Sequence, residues 1–119
     1  MRDYRDLKVW VRAHQLTLAV YSATSEFPRG EEYGLKSQIR RACASIPANI
    51  AEGCGRDSRA ELARFMTISM GSASELDYHL LLAHDLTMLT DLQYETLSQE
   101  LVQVRKMLTA FVQKLTANG

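Results

Sequence analysis

Glu75 and His79 stand four residues apart, the spacing at which a helix brings two side chains onto one face. A carboxylate and an imidazole so placed can ligate a metal ion, and His84-Asp85 adds a second imidazole and acid further along. A metal-dependent helical-bundle enzyme using Glu75 and His79 is therefore one reading. Against it, carboxylate-bridged di-iron bundles carry Glu-x-x-His on two helices with further glutamates opposite, and this chain has no such pair. His14 is the only other histidine, so the ligand set is thin and no metal or cofactor is expected. No serine or cysteine stands in a recognisable nucleophile pattern with a histidine and an acid, and no glycine loop suited to cradling phosphate is present. The sequence points to a protein that is not an enzyme.

The second chemistry on offer is recognition of phosphate. Arg56, Arg59 and Arg64 cluster where two helices are expected to turn, diluted by Asp57 and Glu61, and Arg41 lies one helical segment earlier. The chain has 14 basic and 14 acidic residues, so binding to nucleic acid would have to rest on such a local patch rather than on overall charge. The charges are also unevenly placed. Residues 35–64 hold six basic groups against three acidic ones, whereas 65–95 hold five acids and no lysine or arginine. Trp10, Tyr21, Tyr33 and Phe65 could stack on bases, although aromatic residues on amphipathic helices more often pack in a core or interface.

These side chains must be positioned by helices. Six glycines and two prolines in 119 residues leave few turns, and the length suits one domain spanning 1–119. Val9, Ala13, Leu16, Val20, Ala23 and Phe27 alternate steps of four and three, which gives a first helix ending at Pro28. Leu35, Ile39, Cys43, Ile46, Ile50 and Cys54 give a second, carried through Pro47 and expected to kink there, with Gly53 and Gly55 ending it in a left-handed cap. Ser58 and Glu61 read as a capping box opening a third helix, whose stripe is Leu62, Met66, Ser69, Ala73, Leu76, Leu80 and Ala83. Thr90 and Gln93 open a fourth, striped by Leu97, Leu101, Val104, Leu108, Phe111 and Leu115. Four such helices bury their stripes against one another, so the expected fold is all-α, an antiparallel up-down-up-down four-helix bundle with a proline-kinked second helix. The third helix carries Ile68, Met70, Leu81, Leu86 and Met88 off its stripe, more apolar surface than a lone bundle needs, and a contact with a second copy is expected there.

On a wheel of the second helix, Gln38, Arg41, Ser45, Asn49, Glu52 and Arg56 share an arc opposite the apolar stripe. This arc serves either as a partner surface, or as a solvated face or subunit contact whose groups bond one another. Arg40 lies near the edge of the apolar stripe, level with the middle of the third helix, and Arg40 or Lys36 is expected to pair with Glu75. Cys43 and Cys54, eleven residues apart on one helix, stand about 16 Å from each other and read as buried thiols rather than a disulfide. The charged start of the chain and the lack of a long apolar run predict a cytoplasmic protein with no membrane partner.

Several motifs carry a family likeness: Leu7-Lys8-Val9-Trp10; Phe27-Pro28; Tyr33-Gly34-Leu35; Gln38-Ile39-Arg40-Arg41-Ala42; Ser45-Ile46-Pro47-Ala48-Asn49-Ile50-Ala51-Glu52-Gly53; Gly71-Ser72; and Glu75-Leu76. Together they resemble the four-helix proteins encoded in intervening sequences of bacterial 23S ribosomal RNA genes. That group is similar to the accessory protein of diversity-generating retroelements, a barrel-shaped homopentamer that binds its reverse transcriptase and nucleic acid. The resemblance implies a homo-oligomer, first of all a pentamer, acting as a scaffold for a protein such as a reverse transcriptase or for RNA. It marks Arg40, Ser45, Pro47, Asn49, Glu52, Gly53 and Glu75 as motif or interface positions. It also implies that the retroelement protein is strongly basic, whereas this chain has a pI of about 6.8.

Overall fold

The structure, a computed structural model, describes residues 2–117. Four α-helices follow one another: α1 Lys8–Thr24, α2 Leu35–Cys54, α3 Arg59–Asp85 and α4 Asp91–Thr116. Short 3-10 turns at Tyr4–Asp6 and Arg29–Glu31 precede α1 and α2, and no strand occurs among the described residues. Each helix packs on two neighbours, α1 on α2 and α4, and α3 on α2 and α4, closing a four-helix bundle of 46 × 22 × 20 Å. The stripes of α2 and α3 are wholly buried, as are those of α1 and α4 apart from Ala23 and Phe111, which are partly buried against the core. Among the described residues no helix is long and apolar enough to cross a membrane.

The caps follow from side-chain chemistry. Thr90 and Gln93 form the full reciprocal box, Gln93 N donating to Thr90 Oγ1 at 3.1 Å and Thr90 N to Gln93 Oε1 at 2.9 Å. At α3 only half of the box forms. Ser58 Oγ accepts from Glu61 N at 3.0 Å, while the Glu61 carboxylate turns outward to Arg64. The turn after α3 places Thr87 at φ 62, a conformation that a β-branched residue adopts at a cost. Thr87→Gly is expected to raise stability by about 1 kcal/mol, read from the chemical denaturation midpoint.

Pro47 lies inside α2, so the carbonyl of Cys43 lacks its usual donor. The Thr17 hydroxyl of α1 comes within 3.4 Å of that carbonyl, while its one hydrogen goes chiefly to Ala13 O at 2.8 Å. From the other side Ser69 of α3 donates to Ile46 O at 2.8 Å, in full burial. Hydroxyls from both neighbouring helices thus meet the carbonyls beside the proline.

Gly53 and Gly55 act differently from the sequence expectation. Gly53 sits within α2, Gly55 caps it at φ −81, and no described glycine has positive φ. A Cβ on Gly53 would stand 2.9 Å from Phe65 Cβ and 3.1 Å from Leu62 Cδ1, so this glycine lets α3 approach α2.

Both cysteines are free and buried. Burial pushes the Cys43 thiol up from 9.0 to about 11, partly offset by the hydrogen bond with Thr17, and it also raises Cys54. A thiol whose folded-state value is raised adds stability that is complete below the unfolded value and is lost as pH climbs. Between pH 9 and 11 the bundle should therefore lose on the order of 2 kcal/mol, and Cys43→Ala should flatten that limb of the stability curve.

Candidate functional site

The motif residues of α2 meet α3 along one edge of the bundle. Asn49 Nδ2 donates to Ser45 O at 2.8 Å and to Ser45 Oγ at 2.9 Å, and Ser45 Oγ is 2.8 Å from Ser72 Oγ of α3. This half-buried chain of hydrogen bonds joins the polar arc of α2 to the outer face of α3. Glu52 and Arg56 prolong the arc as an ion pair at 2.7 Å. Four of the six arc residues, Ser45, Asn49, Glu52 and Arg56, thus bond within the arc or to α3.

Beside Ser72 the outer face of α3 is open. Ile68 is 40% exposed and Tyr78 58% exposed, and a Cβ built on Gly71 would meet nothing within 4 Å. A glycine inside a 27-residue helix costs roughly 1 kcal/mol relative to alanine. No contact within this chain explains the choice at Gly71, in contrast to Gly53.

Arg40 corrects the expected pairing. Its Nε donates to Thr24 Oγ1 at 2.9 Å and its Nη2 to Tyr21 O at 2.9 Å, with the guanidinium 4.4 Å from the Tyr21 ring centroid. The carbonyls ending α1 carry the partial negative charge of a helix C-terminus, and Arg40 lies on the α1 side of α2. Lys36 pairs instead with Glu32 at 3.2 Å, and Glu75 Oε1 faces His79 Nε2 at 3.2 Å.

The remaining nitrogen of His79, Nδ1, is buried without a hydrogen-bond partner. Among the described residues no group of three or more His, Cys, Asp or Glu is placed to hold a metal ion. Glu75 and His79 thus bond each other, with no third ligand beside them among the described residues.

The arginine cluster folds back on the protein. Arg56 and Arg64 lie 5.0 and 4.5 Å from the Phe65 ring centroid, and Arg64 pairs with Glu61 at 2.9 Å. That bond holds the Glu61 carboxyl below its usual range. Arg59 Nη2 donates to Lys114 O at 3.2 Å and Leu115 O at 3.3 Å, in the last turn of α4. Arg41 is exposed at the opposite part of α2, where it lines a polar recess with Lys36 and Arg40. Sequence reasoning grouped Arg56, Arg59 and Arg64 by proximity; Arg56 and Arg64 pair with acids one turn away, and only the partners of Arg59 needed α4 in place.

An all-α four-helix bundle with a polar seam at Ser45, Asn49 and Ser72, and with no assembled nucleophile or ligand set among the described residues, defines the class. The chain belongs to the family of 23S rRNA-intervening sequence proteins, whose model matches residues 5–110. It is similar to a protein of unknown function from the S23 ribosomal protein family of Bacteroides thetaiotaomicron, known from its crystal structure. The two share 25% identity and a TM-score of 0.79, the match covering 88% of this chain and 98% of that one. No curated protein matches the chain. Neither description names an enzymatic activity.

Proposed function

We propose that this protein is a non-enzymatic, homo-oligomeric helical scaffold, a pentamer as the first expectation, that holds a protein such as a reverse transcriptase, or RNA, or both. The observation that carries the reading is the outer face of α3, where Ile68, Tyr78 and the open helical position Gly71 flank the bonded seam of Ser45, Asn49 and Ser72. Apolar side chains and an unfilled glycine side by side on one helix suit the close approach of another helix. The family and its ribosomal RNA gene context support RNA as a partner class.

For RNA the contact surface is Arg56, Arg59 and Arg64, with Arg41 contributing from α2. Retention on RNA tests it. The expected result is affinity that falls as salt rises, and loss of retention when Arg56, Arg59 and Arg64 are all replaced by alanine. A flat salt dependence with unchanged retention removes RNA from the proposal and leaves a protein partner.

A further inference from the structure

Two depressions lie at the end of the bundle where the N-terminal segment, the α2–α3 turn and the end of α4 meet. The first, of about 100 Å³, is lined by Arg2, Arg56 and Arg59, with Asp57 as its acid. It is of a size to take a single tetrahedral anion. The second, of about 450 Å³, is an apolar groove walled by Leu7, Met107 and Phe111, with Lys8 and Lys114 at its sides and Asp6 as its acid. Arg2 ties them together: its backbone N donates to Cys54 O at 3.1 Å in the first, and its guanidinium lies 5.7 Å from the Phe111 ring centroid in the second. Arg59 and Lys114 are joined likewise, through the bond from Arg59 Nη2 to Lys114 O.

The geometry points to a nucleotide site, with a phosphate in the arginine recess and the attached planar base in the groove against Phe111 and Met107. The guanidinium of Arg56 is bonded to Glu52 through Nη2 alone, and a guanidinium has five donors, so hydrogen bonds to phosphate oxygens remain open to it. A planar base suits an apolar groove with an aromatic wall, and the lysines beside it favour an anionic ligand. Neither depression alone specifies a nucleotide; the contacts of Arg2 with Phe111 and of Arg59 with Lys114, which set their walls side by side, do. The inference deepens the RNA part of the proposed function, from which it takes Arg56 and Arg59, and adds Arg2, Lys8, Phe111 and Lys114 to them. A free mononucleotide and the 5′ end of an RNA strand present the same chemistry.

Isothermal titration of the full chain with inorganic phosphate, AMP, and an oligoadenylate with or without a 5′ phosphate tests the site. AMP should bind about tenfold more tightly than phosphate, the base supplying the difference. Arg2→Ala and Arg56→Ala, both at exposed positions, should each weaken AMP about tenfold. Phe111→Leu should weaken AMP while leaving phosphate unchanged, and Arg29→Ala, in the turn beyond the far end of α1, should change neither. Preference for the 5′-phosphorylated strand over AMP assigns the site to RNA ends, and equal affinity assigns it to free nucleotide. No heat of binding for AMP or for either strand, or binding indifferent to Arg2→Ala and Arg56→Ala, overturns the site. If the chain still assembles when AMP fails to bind, the site alone is lost; a monomer that binds AMP loses only the assembly.

Discussion

Gly53→Val is expected to destabilise the bundle by about 3 kcal/mol, lowering the thermal midpoint by roughly 10 °C. The reason is local. Even a Cβ would stand 2.9 Å from Phe65 Cβ, an atom fixed close to the α3 backbone, and 3.4 Å from Leu62 O. Leu62 Cδ1, at 3.1 Å, can rotate away, whereas Phe65 Cβ moves only if α3 moves. Moving α3 would strain the buried bond from Ser69 to Ile46 O, one of the contacts beside Pro47. Gly71→Ala makes the comparison: with nothing within 4 Å, the same kind of change should stabilise an isolated chain by about 1 kcal/mol. Urea denaturation of the two variants reads both signs. A stable Gly53→Val variant would mean that α2 and α3 do not pack this closely.

The second large effect is expected at Ile68. Ile68→Glu should leave the fold of the single chain intact, because the side chain is 40% exposed there, yet weaken self-association by at least a hundredfold. An ionised carboxylate buried against a second copy would find the cations of α3 already engaged, Arg64 with Glu61 and Arg59 with the end of α4, and residues 65–95 contain no lysine or arginine. Tyr78→Glu should act in the same direction, and Leu18→Glu on α1, also exposed, serves as the control. Unchanged helical content by circular dichroism, together with a smaller hydrodynamic size, is the combined readout. If the control dissociates the assembly and Ile68→Glu does not, the contact lies on α1 and the assignment to α3 is wrong.

The helical elements were legible because their signals are local. A step of four and three residues, a proline before a turn composition and a serine three residues before a glutamate act over one or two helical turns. The buried stripes of α2 and α3 match their sequence pattern residue for residue. Features that depend on a neighbouring helix were not legible. The sequence suggested an acid on α3 for Arg40, but the carbonyl of Tyr21 and the hydroxyl of Thr24 hold it, and backbone acceptors leave no mark in residue types. Gly53 has the composition of a helix end and the role of a contact point, two uses of glycine that one letter does not separate. At the candidate site, Ser45 and Asn49 stood out as polar residues around a proline, whereas Ser72 became part of the seam only through the α2–α3 contact.

The assembly surface on α3 is the claim on which the scaffold reading stands. Sedimentation velocity of the purified chain at micromolar concentration measures it most directly. The expected result is a species several times the 13.4 kDa of one chain for the natural sequence, and 13.4 kDa for Ile68→Glu. A natural chain that sediments at 13.4 kDa would contradict it.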